Sequence, residues 1–355
     1  MSAGIDEVAE RAGVATSTVS RALRGLPGVS KATRVRIRKI AADLGYQASP
    51  SASRLATGVT GTVAVVVPDA TKWFFGQVIS GAGSAIRAAG RDVLLYELGD
   101  SEGRRRFFSQ QVLRGRADAV MVLSLSLTQQ EAGMLQALNL PVVLLGHSSE
   151  YFGSVRVDER AAARTAVGHL VDLGHRRIGL IGIDDEREAT AGSAAPPSRV
   201  AGSRQSLLAA GIPLEDALQQ FGPNSVDGGA AAMERLLSAP VPPTGVFVSS
   251  DEMAFGAMEA ARAAGLDIPR DMSLVGFDNH DLARVMDLTT IDQDVRGQGA
   301  AAAELLLRAL EPPGSGAARQ TRIINTHLVK RGTTSAPATA ATRSARPSRK
   351  TRQQP

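Results

Sequence analysis

Two groups of residues in this chain have the types and spacing for chemistry. The first follows successive apolar runs: Asp69 after TVAVVV, Ser124 after DAVMVL, His147 after PVVLL, Asp251 after GVFVSS and Asp278 after SLVGF. Such runs read as buried strands, and in open parallel sheets ligands sit beyond the strand C-terminal ends. Each polar residue alone is an ordinary cap or turn former. Their recurrence at the same end of successive strands predicts a polar binding cleft. The second group is Thr16, Ser17, Thr18, Ser20 and Arg21, followed by Arg24. Small hydroxyls and guanidinium groups on one short helix suit base edges and phosphates of duplex DNA.

A catalytic or metal constellation is not found. His169 and His175 are six residues apart, not the four of H-E-x-x-H, and no Glu accompanies them. His175 reads as a turn residue between a helix and a strand. There is no Cys, so neither a thiolate metal site nor a thiol nucleophile exists. No Ser lies in a G-x-S-x-G elbow and no Walker loop occurs. GAGSAI at 81–86 and GQGAAA at 297–302 resemble dinucleotide loops, but neither directly follows a strand. Close helix packing is the better reading. No cofactor and no metal are expected, and a binding protein is favoured over an α/β enzyme.

The DNA-suited group is positioned by Ile5 to Leu26, IDEVAERAGVATSTVSRALRGL. Ile5, Val8, Ala9 and Ala12 recur at helical spacing, and Gly13 stops that helix because glycine accepts backbone angles others resist. Val14 plugs the turn. Ala15, Val19, Ala22, Leu23 and Leu26 then share one side of a second helix, leaving Ser17, Arg21 and Arg24 on the other. Two short helices with a tight Gly turn are a helix-turn-helix, whose second helix enters the major groove. A third helix is predicted from Ser30, its N-cap, to Leu44, with Gly45 as its stop. Gln47 to Thr60, with Pro50, reads as a linker.

From Thr62 onward, β-rich runs alternate with helical stretches, which predicts parallel sheets covered by helices on both faces. The length favours two lobes. Residues 335–355 lack apolar periodicity and read as a disordered basic tail. Residues 1–60 carry nine Lys/Arg and four Asp/Glu, net +5; residues 332–355 also carry +5; the remainder carries 26 basic and 31 acidic residues, net −5. A basic head on an acidic body points to a polyanion at the head alone. No apolar run approaches the roughly 18–20 residues of a membrane span, and no apolar signal segment leads the chain. No membrane partner is expected, and the expected location is the cytoplasm, on the nucleoid.

Residues 1–334 resemble the lactose-repressor/galactose-repressor (LacI/GalR) family. The matching stretches are DEVAERAGV, STVSRAL, Gly45-Tyr46, Leu55 with Thr57-Gly58, VVVPD, VDLGHRRIGLIG, RVAGSR, SSDEMAFGAM, LVGFDN, TTIDQD and HLVKRGTT. The resemblance implies a DNA-binding headpiece (1–46), a hinge (47–61) and a two-lobed periplasmic-binding-protein-like core (62–334). Lobe 1 would comprise about 62–159 and 293–321, and lobe 2 about 160–292 and 322–334. It further implies a repressor acting as a homodimer, with a tetramer left open, on a near-palindromic double-stranded operator, controlled by a small-molecule effector such as a sugar. Arg54 and Leu55 would lie in the hinge, with Leu55 entering the minor groove. Asp69, Trp73, Phe74, Phe75, Ser124, His147, Arg199, Asp251 and Asp278 would line the cleft, Arg199 reaching ligand hydroxyls or carboxylates. Several positions depart from the family: Lys72-Trp73 replaces the common Asn-Pro, His147 a common Arg, and Ser250 a common Asn. In the headpiece, Ala15 replaces the usual Ser, Ala48-Ser49 a Pro-Asn, and Ser53 a frequent Arg. The competing readings are a solute-binding protein of similar core fold and, further off, an α/β enzyme.

Overall fold

The computed structural model describes residues 4–46, 59–109, 112–184, 195–311 and 319–338. The expected hinge with Arg54 and Leu55, and the basic tail beyond residue 338, lie outside the described residues. The chain divides into two units at Gly61.

Among the described residues the first unit has three helices: α1 (Ile5–Ala12), α2 (Thr16–Leu23) and α3 (Lys31–Asp43). Gly13 sits at φ +62°, the left-handed geometry that ends α1, and the Val14 N–H returns to the Ala9 carbonyl (3.1 Å). Val8, Ala9, Ala12, Val19, Ala22, Ile37 and Ala41 form a small core, with Val14 packed against it. Ala15, expected on the buried side, is instead the exposed residue before α2. Ser30 caps α3, accepting from the Thr33 N–H at 3.1 Å. Arg36 donates to the Ala12 carbonyl (3.1 Å) at the C-terminal end of α1, and Arg34 to the Leu26 carbonyl (2.9 Å) in the loop after α2.

The second unit holds two six-stranded sheets. In chain order its elements begin with β1 (Thr62–Val67), α4 (Trp73–Ala88), β2 (Asp92–Glu97), α5 (Ser101–Ser109), β3 (Ala119–Leu123) and α6 (Gln129–Gln136). They continue with β4 (Val142–Leu145), β5 (Gly153–Val157), α7 (Glu159–Asp172), β6 (Ile178–Ile183), α8 (Ala195–Ala209), β7 (Gln219–Gly222) and α9 (Val226–Leu237). The last are β8 (Gly245–Val248), α10 (Asp251–Ala263), β9 (Ser273–Asp278), β10 (Thr289–Asp292), α11 (Val295–Ala309), β11 (Thr321–Ile324) and β12 (His327–Val329). Sheet 1 runs β11-β5-β4-β3-β1-β2, all parallel. Sheet 2 runs β12-β10-β9-β8-β6-β7, parallel except for β12.

Alternation explains the unbroken apolar runs. Val63, Val65 and Val67 face a core shared with α4 and α11, while Ala64 and Val66 face one shared with α5 and α6. A strand covered on both sides needs apolar residues at every position. Sheet 2 is likewise sandwiched, by α9 and α10 on one face and α7 and α8 on the other. The apolar run at 92–96 is an edge strand, with Leu95 43% exposed. The chain crosses between lobes three times: after β5, after β10 and after β11. β11 pairs with β5, which puts the last crossing between Ile324 and His327 rather than at 321/322. The expected tail also starts too early. The Ser335 carbonyl accepts from His175 Nε2 (2.9 Å) and Ser273 Oγ (3.0 Å), which binds that residue to lobe 2. No helix among the described residues is long and apolar enough to cross a membrane.

The glycine strings serve packing. A Cβ on Gly81 would lie 2.0 Å from the Arg296 carbonyl oxygen, and one on Gly299 would lie 2.1 Å from that of Val78. Helices α4 and α11 therefore meet backbone to backbone. Gly299→Ala should cost about 1–3 kcal/mol by overpacking. Gly133→Ala, at an exposed position of α6 with open space around it, should gain about 0.5–1 kcal/mol. Urea unfolding of both variants checks the contrast.

Candidate functional site

The cleft lies between the lobes at the C-terminal ends of the strands, with a cavity of about 100 Å³. Lobe 1 contributes Pro68, Asp69, Lys72, Phe74, Phe75, Ser124, Gly146 and Gln298. Lobe 2 contributes Glu159, Ile183, Pro196, Arg199, Asn224, Ser250 and Asp278, and Gln293 comes from the crossover. The strand-end rule thus brings Asp69, Ser124 and Asp278 to one wall system.

Arg199, near the start of α8, is 6% exposed. Its Nε donates to Glu159 Oε2 at 2.7 Å, and its Nη1 donates to the Ser249 carbonyl at 2.6 Å. Nη1 also lies 3.8 Å from Asp278 Oδ1, and Cζ sits 3.7 Å above the Phe277 ring centroid. A buried guanidinium is tolerable only with such partners. Asp278 accepts from Gln293 Nε2 at 2.6 Å, and Gln298 Nε2 donates to the Gln293 carbonyl at 2.7 Å. This relay runs from α11 through the crossover to the end of β9. Asp278 holds φ +123°, a backbone cost of the kind found at functional sites. Burial pushes its carboxyl up to about 7, against the opposing pull of Arg199 and the Gln293 hydrogen bond.

Three expected cleft residues are elsewhere. Asp251 is fully buried beneath the wall, accepting from Thr290 Oγ1 (2.7 Å) and the His280 N–H (2.8 Å). Burial and the neighbouring Asp278 hold its carboxyl well above the usual range. It fixes the loop after β9 because Gly276 leaves room for it: a Cβ there would lie 2.1 Å from Asp251 Oδ1. His147 borders a separate hollow of lobe 1 with Ser126, Thr128 and Tyr151, because Gly146 (φ +90°) turns the chain and itself reaches the cleft. Trp73 donates from Nε1 to Asp281 Oδ2 (3.0 Å) of the other lobe. Sequence reasoning missed Glu159, Asn224, Gln293 and Gln298. Gln293 lies in the string TTIDQD, but nothing in that string tells that its amide meets Asp278.

In the headpiece, Thr16, Ser17 and Arg21 are exposed, and Thr18 and Ser20 half-buried. Arg21 Nε makes a long bond to the Pro27 carbonyl (3.4 Å). No side chain caps α2 at Ala15.

Comparison with known proteins adds the lineage. Residues 4–49 match the bacterial regulatory proteins of the lacI family, and residues 167–334 a periplasmic binding protein-like domain. The HTH-type transcriptional repressor CytR of Escherichia coli K12 is 33% identical over 339 residues, 94% of this chain and 97% of that one. The chain belongs to the LacI family. Catabolite control protein A of Priestia megaterium is 30% identical over 312 residues, 87% of this chain and 92% of that one. Among solved structures, the Lac repressor dimer bound to operator and an anti-inducer has a TM-score of 0.83 at 27% identity, covering 95% of this chain and all of that one. The cellobiose complex of the regulator CelR has a TM-score of 0.69 at 29% identity, covering 93% and 99%. As a LacI-family chain with both characteristic parts, it is an effector-controlled, DNA-binding transcriptional regulator.

The raised carboxyl of Asp278 has a definite pH signature. The folded state keeps this proton between the ordinary value of 3.8 and about 7, whereas the unfolded chain has released it. Stability from this group is therefore full below that window and falls as pH rises through it. His169, His175 and His280, lowered chiefly by burial, act in the opposite sense. Asp251, also raised, contributes in the same sense as Asp278. Asp278→Asn should remove the share that belongs to Asp278, so the difference in unfolding free energy between wild type and variant should change steadily from pH 4 to 7. A pH-independent difference in urea titrations would contradict the assignment.

Proposed function

We propose that this LacI-family chain is a repressor that binds a near-palindromic operator as a homodimer and responds to a neutral, hydroxyl-bearing small molecule in the cleft. The observation that carries the ligand class is the filled fork of Arg199. Each of its three nitrogens already donates, to Glu159 or to the Ser249 carbonyl. An acidic ligand would meet Asp69, Glu159 and Asp278 with both lining cations, Arg199 and Lys72, already engaged. Sugar hydroxyls instead donate to those carboxylates, and Phe74 and Phe75 offer an apolar face. The cellobiose-bound CelR and a ribose-bound family regulator from Enterococcus faecium support a sugar; the operator-bound Lac repressor dimer supports the assembly. The polar groups of the cleft satisfy one another, which fits a binder rather than an enzyme. Such a regulator works in the cytoplasm, on the nucleoid.

On DNA, Ser17 and Arg21 face base edges, with Thr16, Thr18 and Ser20 beside them, and the hinge residues Arg54 and Leu55 complete the interface by resemblance. A gel-shift assay with the DNA upstream of its own gene tests the reading. Neutral sugars such as ribose and cellobiose, against glucuronate, test the ligand class. Glu159→Gln should relax the exclusion of acids by freeing the Arg199 fork, and Arg199→Ala should abolish the ligand response while DNA binding persists. A wild-type response to glucuronate alone would overturn the neutral-ligand reading. Arg21→Ala should cost about 1–3 kcal/mol at one symmetric pair of operator positions. A uniform loss over all sequences would make it a phosphate contact instead.

A further inference from the structure

The first turn of α4 does more than lend Phe74 and Phe75 to the cleft. Trp73 Nε1 donates to Asp281 Oδ2 at 3.0 Å, and Gln77 Nε2 donates to the same oxygen at 3.3 Å. Trp73 and Gln77 are four residues apart on α4, so they share a face. Asp281 lies in the short turn after β9, on the other lobe. The indole also rests on the His280 imidazole, with centroids 4.5 Å apart and planes at 31°. His280 is held in turn by Phe255, edge-on at 5.3 Å, and its Nδ1 accepts from the Leu282 N–H at 3.0 Å. Lys72 adds a bond from Nζ to the Asn224 carbonyl and lies 3.9 Å from Glu252. Every one of the bonds made by Trp73, Gln77 and Lys72 to these partners crosses between lobes. Yet Trp73, Gln77, His280 and Asp281 do not line the cavity.

We propose that Trp73, Gln77 and Asp281 form an inter-lobe latch, and that Trp73 is a positioning residue setting the population of closed protein, not an effector contact. The carboxylate is the keystone because two donors converge on one oxygen, and a charged acceptor makes both bonds stronger. The indole supplies apolar area across the gap while its N–H remains satisfied. A ligand favouring the closed lobes would bind more weakly once the latch is cut, because only the competent fraction binds. That consequence rests on the effector-cleft reading; the latch itself does not.

The sequence makes the test direct, since the chain has no Cys and one Trp. Spin labels go on cysteines replacing Arg105 on lobe 1 and Arg270 on lobe 2, whose side chains are 77% and 67% exposed. Labelled full-length chains are diluted with unlabelled ones, and pulsed dipolar spectroscopy gives the distance distribution. Acrylamide quenching of Trp73 fluorescence is read on the Asp281 variants in an otherwise unlabelled chain, since Trp73→Phe removes the single tryptophan. Asp281→Ala should move the distribution several ångströms longer or broaden it, and raise the quenching constant about twofold or more. Asp281→Asn keeps an oxygen for both donors but not the charge, and should fall between wild type and Asp281→Ala. Trp73→Phe keeps a ring without the donor and should shift the distances as Asp281→Ala does. Because Asp281 is exposed, its replacement does not threaten the core. Unchanged distances in Asp281→Ala and Trp73→Phe overturn the latch, as does greater quenching with no change in distance. Loss of the effector-cleft reading would look different: distances would respond to the substitutions while no sugar bound to wild type.

Discussion

A buried guanidinium cannot be left alone, and much of the cleft follows from that constraint. Arg199 is nearly inaccessible, so its charge must be met inside the protein. Glu159 at the first position of α7, the Ser249 carbonyl after β8, Asp278 at the end of β9 and the Phe277 face all converge on it. These groups come from separate elements of lobe 2, and they meet only if the parallel order of β6, β8 and β9 is kept. The charge network thus ties the wall of the cleft to the sheet beneath it. Removing one member of such a set costs more than its own bond, since it leaves the rest of the charge buried and unpaired.

The relay from Gln298 through Gln293 to Asp278 carries this arrangement to the other lobe. Gln293 and Gln298 are both 1% exposed, and amides in such a place are retained only with partners. The relay spans the crossover between β10 and α11. Electrostatics at the floor of the cleft and hydrogen bonding at that crossover are therefore parts of one network.

The fold was legible where the signal is local. Runs such as TVAVVV and SLVGF announce strands because both faces are covered, and Gly13, Ser30 and Gly45 mark helix ends through backbone geometry and capping. The short strands β5, β7, β10, β11 and β12 escaped notice: GSVRV, QQFG, TTID, TRII and HLV are too short or too polar to read before their partners are known. In the site, Asp69, Ser124 and Asp278 followed from position at strand ends, and Arg199, Phe74 and Phe75 from resemblance. The strand-end rule failed for Asp251 and His147 because it gives a residue's place and not the side chain's direction. Gly276 and Gly146 decide those directions, through space in one case and a turn in the other. Glu159, Gln293 and Asn224 have no local signature at all, since their roles depend on contacts far apart in the chain.

The glycine contacts between α4 and α11 have a mechanical meaning. Where two helices touch through backbone atoms, no side chain can change rotamer to let them slide. The front of α4, with Trp73, Phe74 and Phe75, is geared to the start of α11, which emerges directly from a crossover. Displacement at that crossover has no slack in which to be absorbed, so it must reappear at the aromatic end of α4. Lobe 1 then behaves as a stiff lever, with its compliance concentrated in three short strands of connecting chain.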